Sequence, residues 1–150
     1  MNDTAENREI LQELCTGQPL AVLATNAGAS PYASLVAVVI TSDLRQLYFA
    51  TSRATRKWAN LAGNPQVALL IDNRSNQVMD FSRAAAATLL GHAEELQGDE
   101  RAAGLTVYLA RHPHLADFVA APSCAFLRVQ IASIYLVTRF QQVVEYHFPP

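Results

Sequence analysis

No charged side chain occurs between Glu13 and Asp43, and Gly17, Pro19, Asn26, Gly28 and Pro31 cut the apolar stretches inside that interval. The pieces fall far short of the ~18 consecutive apolar residues that a membrane-spanning helix needs, so no span is expected. What remains is a series of short apolar segments bounded by turn formers, which is how buried strands read. Residues 20–25, 32–40, 47–51 and 67–72 fit this pattern. The connections 26–31 and 41–45 are short enough for antiparallel hairpins, which predicts a meander for the first three strands.

Helices frame these strands. Asp3 followed by Glu6 reads as a capping box, and Ile10, Leu11, Leu14 and Cys15 then share one helical face. Gly17, in the left-handed conformation, would end that helix ahead of Pro19. A second short helix is expected between Thr51 and Pro65, with Trp58, Leu61 and Ala62 on one side and Gly63 just past its end. Residues 84–96 stay open between a helix, favoured by the alanines, and a strand with a bulge near Gly91. Residues 99–111 carry acids at the start and Arg111 near the end, as a helix dipole favours, with Leu105, Tyr108 and Leu109 as the apolar side. A helical piece with Leu115, Phe118 and Val119 follows between Pro113 and Pro122. Residues 125–138 form a long strand, with Arg128 and Gln130 on one parity and Val129, Ile131 and Tyr135 on the other. The sum is a mainly β protein, a small closed or nearly closed antiparallel barrel, with a sandwich as the alternative.

The 150 residues make one domain, 1–150, and at this length roughly 70% of the unfolded surface can be buried. Only 16% of the residues are charged while 51% are apolar. Soluble domains carry about 25% charge, so part of this surface is expected to be covered, most simply by a second copy of the chain. A net charge of −2 provides no broad basic field for nucleic acid. Cys15 and Cys124 form no CxxC pair, and Asp3, Glu6, Glu9 and Glu13 stand where a secretory leader would carry basic residues. A reduced, cytoplasmic setting is expected.

The most informative stretch is Tyr48-Phe49-Ala50-Thr51-Ser52-Arg53-Ala54-Thr55-Arg56-Lys57-Trp58. Lys57 is the only lysine, and no acidic residue lies between Asp43 and Asp72. Three cations within five positions, the hydroxyls of Thr51, Ser52 and Thr55, and free amides at a helix start are what a phosphate group requires. The same residues also suit an ordinary hydroxyl-capped helix start exposed to water.

This segment, followed by Asn60-Leu61 and Asn64-Pro65 and preceded by Leu23-Ala24-Thr25 and residues 31–36, resembles the pyridoxamine 5'-phosphate oxidase-like, FMN-binding split-barrel family. The resemblance covers roughly residues 18–95 and, more loosely, 125–138. It implies a six-stranded split barrel, a homodimer, and FMN in a groove between the subunits. It also implies phosphate contacts from Thr51, Thr55, Arg56 and Lys57, to which the hydroxyl reading above adds Ser52, and main-chain contacts to the flavin ring around Ser34, Leu35 and Val36. The oxidase itself has a basic residue where Ser34 stands, and its C-terminal segment supplies basic and aromatic substrate contacts. Here the last residues are Glu145-Tyr146-His147-Phe148-Pro149-Pro150. Pyridoxamine phosphate oxidase activity proper is therefore not expected.

The polar segment Asp72-Asn73-Arg74-Ser75-Asn76-Gln77 reads either as a solvated loop or as a cofactor contact, with Asn76 and Gln77 reaching in from the same chain or across a dimer. His112 and His114 lack the companions a metal site needs, and no CxxCH haem attachment is present. No triad, nucleophile elbow or phosphate-binding P-loop is in view, which lowers hydrolase and nucleotide-triphosphatase readings, while the resemblance implies a flavoprotein passing electrons from NAD(P)H or a similar donor to a small acceptor. The alternative is a non-catalytic flavin- or haem-binding or sensing protein on the same fold. The residues do not distinguish FMN from FAD, deazaflavin or haem.

Overall fold

The computed structural model describes residues 3–139 and 142–150. Helix α1 (Ala5–Gly17) is followed by strands β1 (Leu20–Ala27), β2 (Ser30–Ala37), β3 (Val39–Ile40) and β4 (Gln46–Ser52), helix α2 (Arg56–Gly63) and strand β5 (Gln66–Asp72). A single turn, α3 (Asp80–Arg83), leads to β6 (Ala85–Glu95), α4 (Gly98–Arg111), a 3-10 turn at Pro113–Leu115, α5 (Ala116–Ala120), β7 (Cys124–Thr138) and β8 (Gln142–His147).

All strand pairs are antiparallel, in the order β2-β1-β5-β6-β7-β4-β3, with β8 also on β7. Only Val38 separates β2 from β3, so the two ends of that order are consecutive in the chain and the sheet curls back on itself. This is a split barrel, and counting β2 and β3 as one bent strand gives six staves with β8 added. The expected meander is present with a corner in it: β2 pairs β1, while β3 pairs β4. The corner is held by Val38, whose amide donates to the Pro19 carbonyl at 3.0 Å and whose carbonyl accepts from His112 Nε2 at 2.8 Å.

The inward face of the curl, with Leu23, Phe49, Leu69, Leu89, Val129 and Ile134, makes one core that α1 plugs with Leu11, Leu14 and Cys15. A second cluster, Tyr48, Tyr108, Val119 and Phe126, lies where α4 and α5 cover the outer side of β4 and the first half of β7. Gly104 permits that contact, since a Cβ there would stand 2.8 Å from Phe126 Cε2.

Several local expectations are corrected. Thr4, not the Asp3–Glu6 pair, caps α1, its Oγ1 accepting from the Asn7 amide at 3.1 Å. Asp3 instead bonds Arg8 and Tyr146. Gly17 and Gly63 lie inside their helices, and neither has a positive φ. The β1–β2 connection is tighter than 26–31, because Gly28 at φ +64° supports a two-residue turn and Pro31 is tolerated on an edge strand. Ala62 is exposed and Asn60 takes the buried place on α2. Phe118 also stays exposed, at 42%. Residues 84–96 resolve as the strand, with a register shift after Leu90. That shift leaves Ala132 unpaired with β6, which flips the parity of β7 so that Ile134 and Leu136 enter the core and Tyr135 leaves it.

Candidate cofactor site

The turn from β4 into α2 is built by hydroxyls. Thr51 is buried, its Oγ1 2.9 Å from Thr55 Oγ1. Thr55 donates to the Ser52 carbonyl at 2.8 Å and, as the N-cap of α2, accepts from the Trp58 amide at 3.4 Å. Ser52 Oγ accepts from the Ala54 amide at 3.2 Å. These bonds use the amides of residues 54 and 58, the Thr55 amide donates to the Ser52 carbonyl at 3.2 Å, and those of Arg56 and Lys57 are left with no bond among the described residues. Free first-turn amides and the helix dipole favour an anion there.

The three cations of the segment are not equivalent. Arg53 is committed: it forms a forked ion pair with Glu95 and its Cζ lies 4.8 Å from the Trp58 ring centroid. That pairing holds the Glu95 carboxyl below its usual range and raises the Arg53 guanidinium. Arg56 is exposed and Lys57 half-buried, and neither has a carboxylate partner among the described residues. The neighbouring contact of Arg56 is the ring of Tyr32 on β2, 5.9 Å from its Cζ.

Tyr32, Ser34 and Val36 share the face of β2 that looks toward α2 and the core, whereas Leu35 points outward and is 63% exposed. Ser34 Oγ is enclosed with no hydrogen-bond partner. A buried hydroxyl left unbonded is uncommon in native proteins and fits a contact that a ligand would complete. Two first-turn amides, two unneutralised cations and this orphaned hydroxyl thus fit a ligand with a phosphate at one end and hydrogen-bonding groups further on.

Asn76 and Gln77 lie elsewhere on the chain. They line an open groove of about 750 Å³ floored by Leu70, Ala86, Thr88 and Val137, and none of residues 51–57 lines it. Asp80 organises the segment by accepting from the Ser75 and Asn76 amides at 2.9 and 2.7 Å and from Ser75 Oγ at 2.7 Å, which lowers its pKa. The structure therefore brings β2 and the 51–57 segment together within one chain and leaves Asn76 and Gln77 apart from them.

Other reactive groups are spent on structure. Burial pushes the Cys15 thiol up to about 12 and raises Cys124, so neither is a ready nucleophile. Arg128 pairs Glu94 and Glu100 at 2.7 and 2.9 Å. No grouping of His, Cys, Asp and Glu fit for a metal exists among the described residues. No helix among them is long and apolar enough to cross a membrane.

Sequence reasoning missed Tyr32 and Glu95. The parity of Tyr32 with Ser34 and Val36 marked it in principle, whereas nothing local marks Glu95, 42 positions from Arg53.

The curled antiparallel sheet and its flanking helices together define a split-barrel protein. A profile of the pyridoxamine 5'-phosphate oxidase family matches residues 5–138, and the chain belongs to that family. Among solved structures, a heme binding protein from Mycobacterium smegmatis superposes with a TM-score of 0.84 at 19% identity, over 98% of this chain and 60% of that one. General Stress Protein 26 from Bacillus anthracis gives 0.71 at 16% identity over 97% and 100%. An FAD-binding protein from Mesorhizobium loti gives 0.70 at 18% identity over 86% and 90%. At these identities the likenesses speak for the fold alone. No curated protein matches the chain.

Proposed function

We propose that the chain binds FMN, with the phosphate on Thr55, Arg56 and Lys57, and that as a homodimer it passes electrons from NAD(P)H or a similar donor to a small acceptor. The observation that carries this reading is the pair of unneutralised cations, Arg56 and Lys57, at the capped first turn of α2. Ser52 borders the turn and Thr51 acts through Thr55, keeping its hydroxyl in place from beneath. Along β2 the main chain of Ser34, Leu35 and Val36 would follow the flavin ring, and the free hydroxyl of Ser34 would gain its missing partner. The ring supplies the hydride chemistry itself, so the protein needs no acid–base pair of its own and only has to bind, orient and exclude water. Asn76 and Gln77 would reach a cofactor only from the opposite subunit.

A second reading is haem binding without catalysis, favoured by the likeness to the Mycobacterium smegmatis protein. Of the candidate axial ligands, His112 is buried and donates Nε2–H to the Val38 carbonyl, which leaves His92, His114 and His147.

The experiment is optical. Purified protein, or protein incubated with FMN, should be yellow with bands near ~370 and ~450 nm, and NADH or NADPH should bleach them anaerobically if electrons are passed. A sharp Soret band in place of those bands would establish haem. A protein that takes up no flavin would end the first reading.

A further inference from the structure

Arg56 has an aromatic ring for a neighbour where an exposed arginine commonly has a carboxylate. Arg53, three positions earlier, shows the contrast, since Glu95 neutralises it and Trp58 stacks on it. A ring face steers a guanidinium by its quadrupole and flat surface yet leaves the charge intact. A carboxylate in the same position would also steer it, but would compete with any anion arriving at α2.

The ring is set at a fixed level relative to the helix. Tyr32 stands opposite Thr25 in the β1–β2 ladder, and Thr25 Oγ1 accepts from Asn60 Nδ2 on α2 at 3.0 Å, a bond between buried residues. The hairpin that carries the ring is thereby tied to the helix that carries the guanidinium. Tyr32 also shares its strand face with Ser34, two positions along, so the stacked Arg56 lies at the meeting of β2 and the first turn of α2.

We propose that Tyr32 is a positioning residue: its ring holds the Arg56 guanidinium, still fully charged, at the mouth of the site and so makes the chain prefer a phosphorylated ligand to its dephosphorylated form. The proposal rests on the FMN reading above. Its effect is confined to the phosphate end, because Tyr32 acts through Arg56 and makes no other polar contact among the described residues.

The test titrates FMN and riboflavin into the full chain as wild type, Tyr32→Phe, Tyr32→Leu and Tyr32→Ala, following flavin fluorescence, with a thermal melt of each variant. Phe keeps the ring, and Leu keeps bulk without it. FMN affinity should fall about two- to fivefold in the Leu and Ala variants and hold in the Phe variant, the scale of an exposed cation–π contact. Riboflavin affinity should stay constant in all four. Equal losses for both ligands, or an unchanged ratio in the Leu variant, would make Tyr32 a hairpin residue only and overturn the proposal. The Arg56 δ-methylene protons give an independent reading by NMR, shifted by the ring in the wild type and the Phe variant and not in the Leu variant. Absence of that shift in the wild type would also overturn it. A wild type that binds FMN no better than riboflavin would instead refute the phosphate site itself, a failure visible before any substitution is made.

Discussion

Arg56 and Arg53 show how far a single residue's role can be read from its neighbours in sequence. Both sit in one basic segment, and by residue type alone they are interchangeable. The hydroxyls, the cap and Lys57 are legible there because every partner lies within four positions. Glu95 approaches from β6, so the neutralisation of Arg53 follows only from the fold. The two arginines should therefore respond differently to truncation. Arg56→Ala is expected to weaken FMN binding by about 2–3 kcal/mol, the scale of a lost charge-assisted hydrogen bond, with riboflavin changed much less. Isothermal titration with both ligands checks this, and equal losses would mean that Arg56 supports the turn rather than the phosphate.

At the scale of the element, β7 explains most of what was not foreseen. Its first half pairs β4 through Gln130, and its second half pairs β8 from Ser133 onward. At the changeover the Ile131 amide donates to the Arg45 carbonyl and the Ala132 carbonyl accepts from the Phe148 amide, both at 2.8 Å, so the backbone stays bonded through the bulge. Parity along 125–138 read as one continuous alternation, because an extra residue opposite Leu90–Gly91 leaves no mark in composition. Strand β8 was missed for a related reason: six residues with only Val144 buried show little periodicity until β7 offers an edge. Gly91, in contrast, was visible as a bulge marker. A Cβ there would stand 2.1 Å from the Gln130 carbonyl oxygen and 2.9 Å from Val129 Cγ1. Backbone cannot yield as a side-chain tip can, so Gly91→Ala should cost about 2 kcal/mol or more despite the stiffer unfolded chain. Urea denaturation should show the midpoint fall. A variant as stable as the wild type would mean that the bulge relocates.

At the scale of the molecule, the two sides of the curled sheet are unequally covered. Helices α4 and α5 bury the outer side of β4 and early β7, whereas the outer side of β2, β1, β5 and β6 stays part-exposed, with Asp80 and Phe81 of α3 bordering the groove over Leu70 and Thr88. One row across it runs Leu35, Val22, Leu70, Thr88, Tyr135, and none of the five is buried. Leu20 and Leu35 are 47% and 63% exposed on the same face. Contiguous apolar surface of this kind marks an interaction site, and the low charged fraction of the sequence is its compositional trace. The occupant we expect is a second copy, since one self-complementary patch of about 800 Å² suffices for an isologous pair. Such a pair would also cover the groove that Asn76 and Gln77 line, since Leu70 and Thr88 of this row form part of its floor. Sedimentation at micromolar concentration should then report twice the 16.4 kDa of the chain. Leu35→Glu, which places a charge at the most exposed point of the row, should shift the equilibrium to monomer and weaken FMN and riboflavin alike, because it removes the partner's share of the groove rather than the phosphate grip. Adding FMN should raise the melting temperature of the wild type more than that of the variant, as binding to the assembled state alone requires. A wild-type monomer that binds one FMN per chain, with affinity unchanged on dilution, would show that β2 and the α2 turn complete the site within a single subunit.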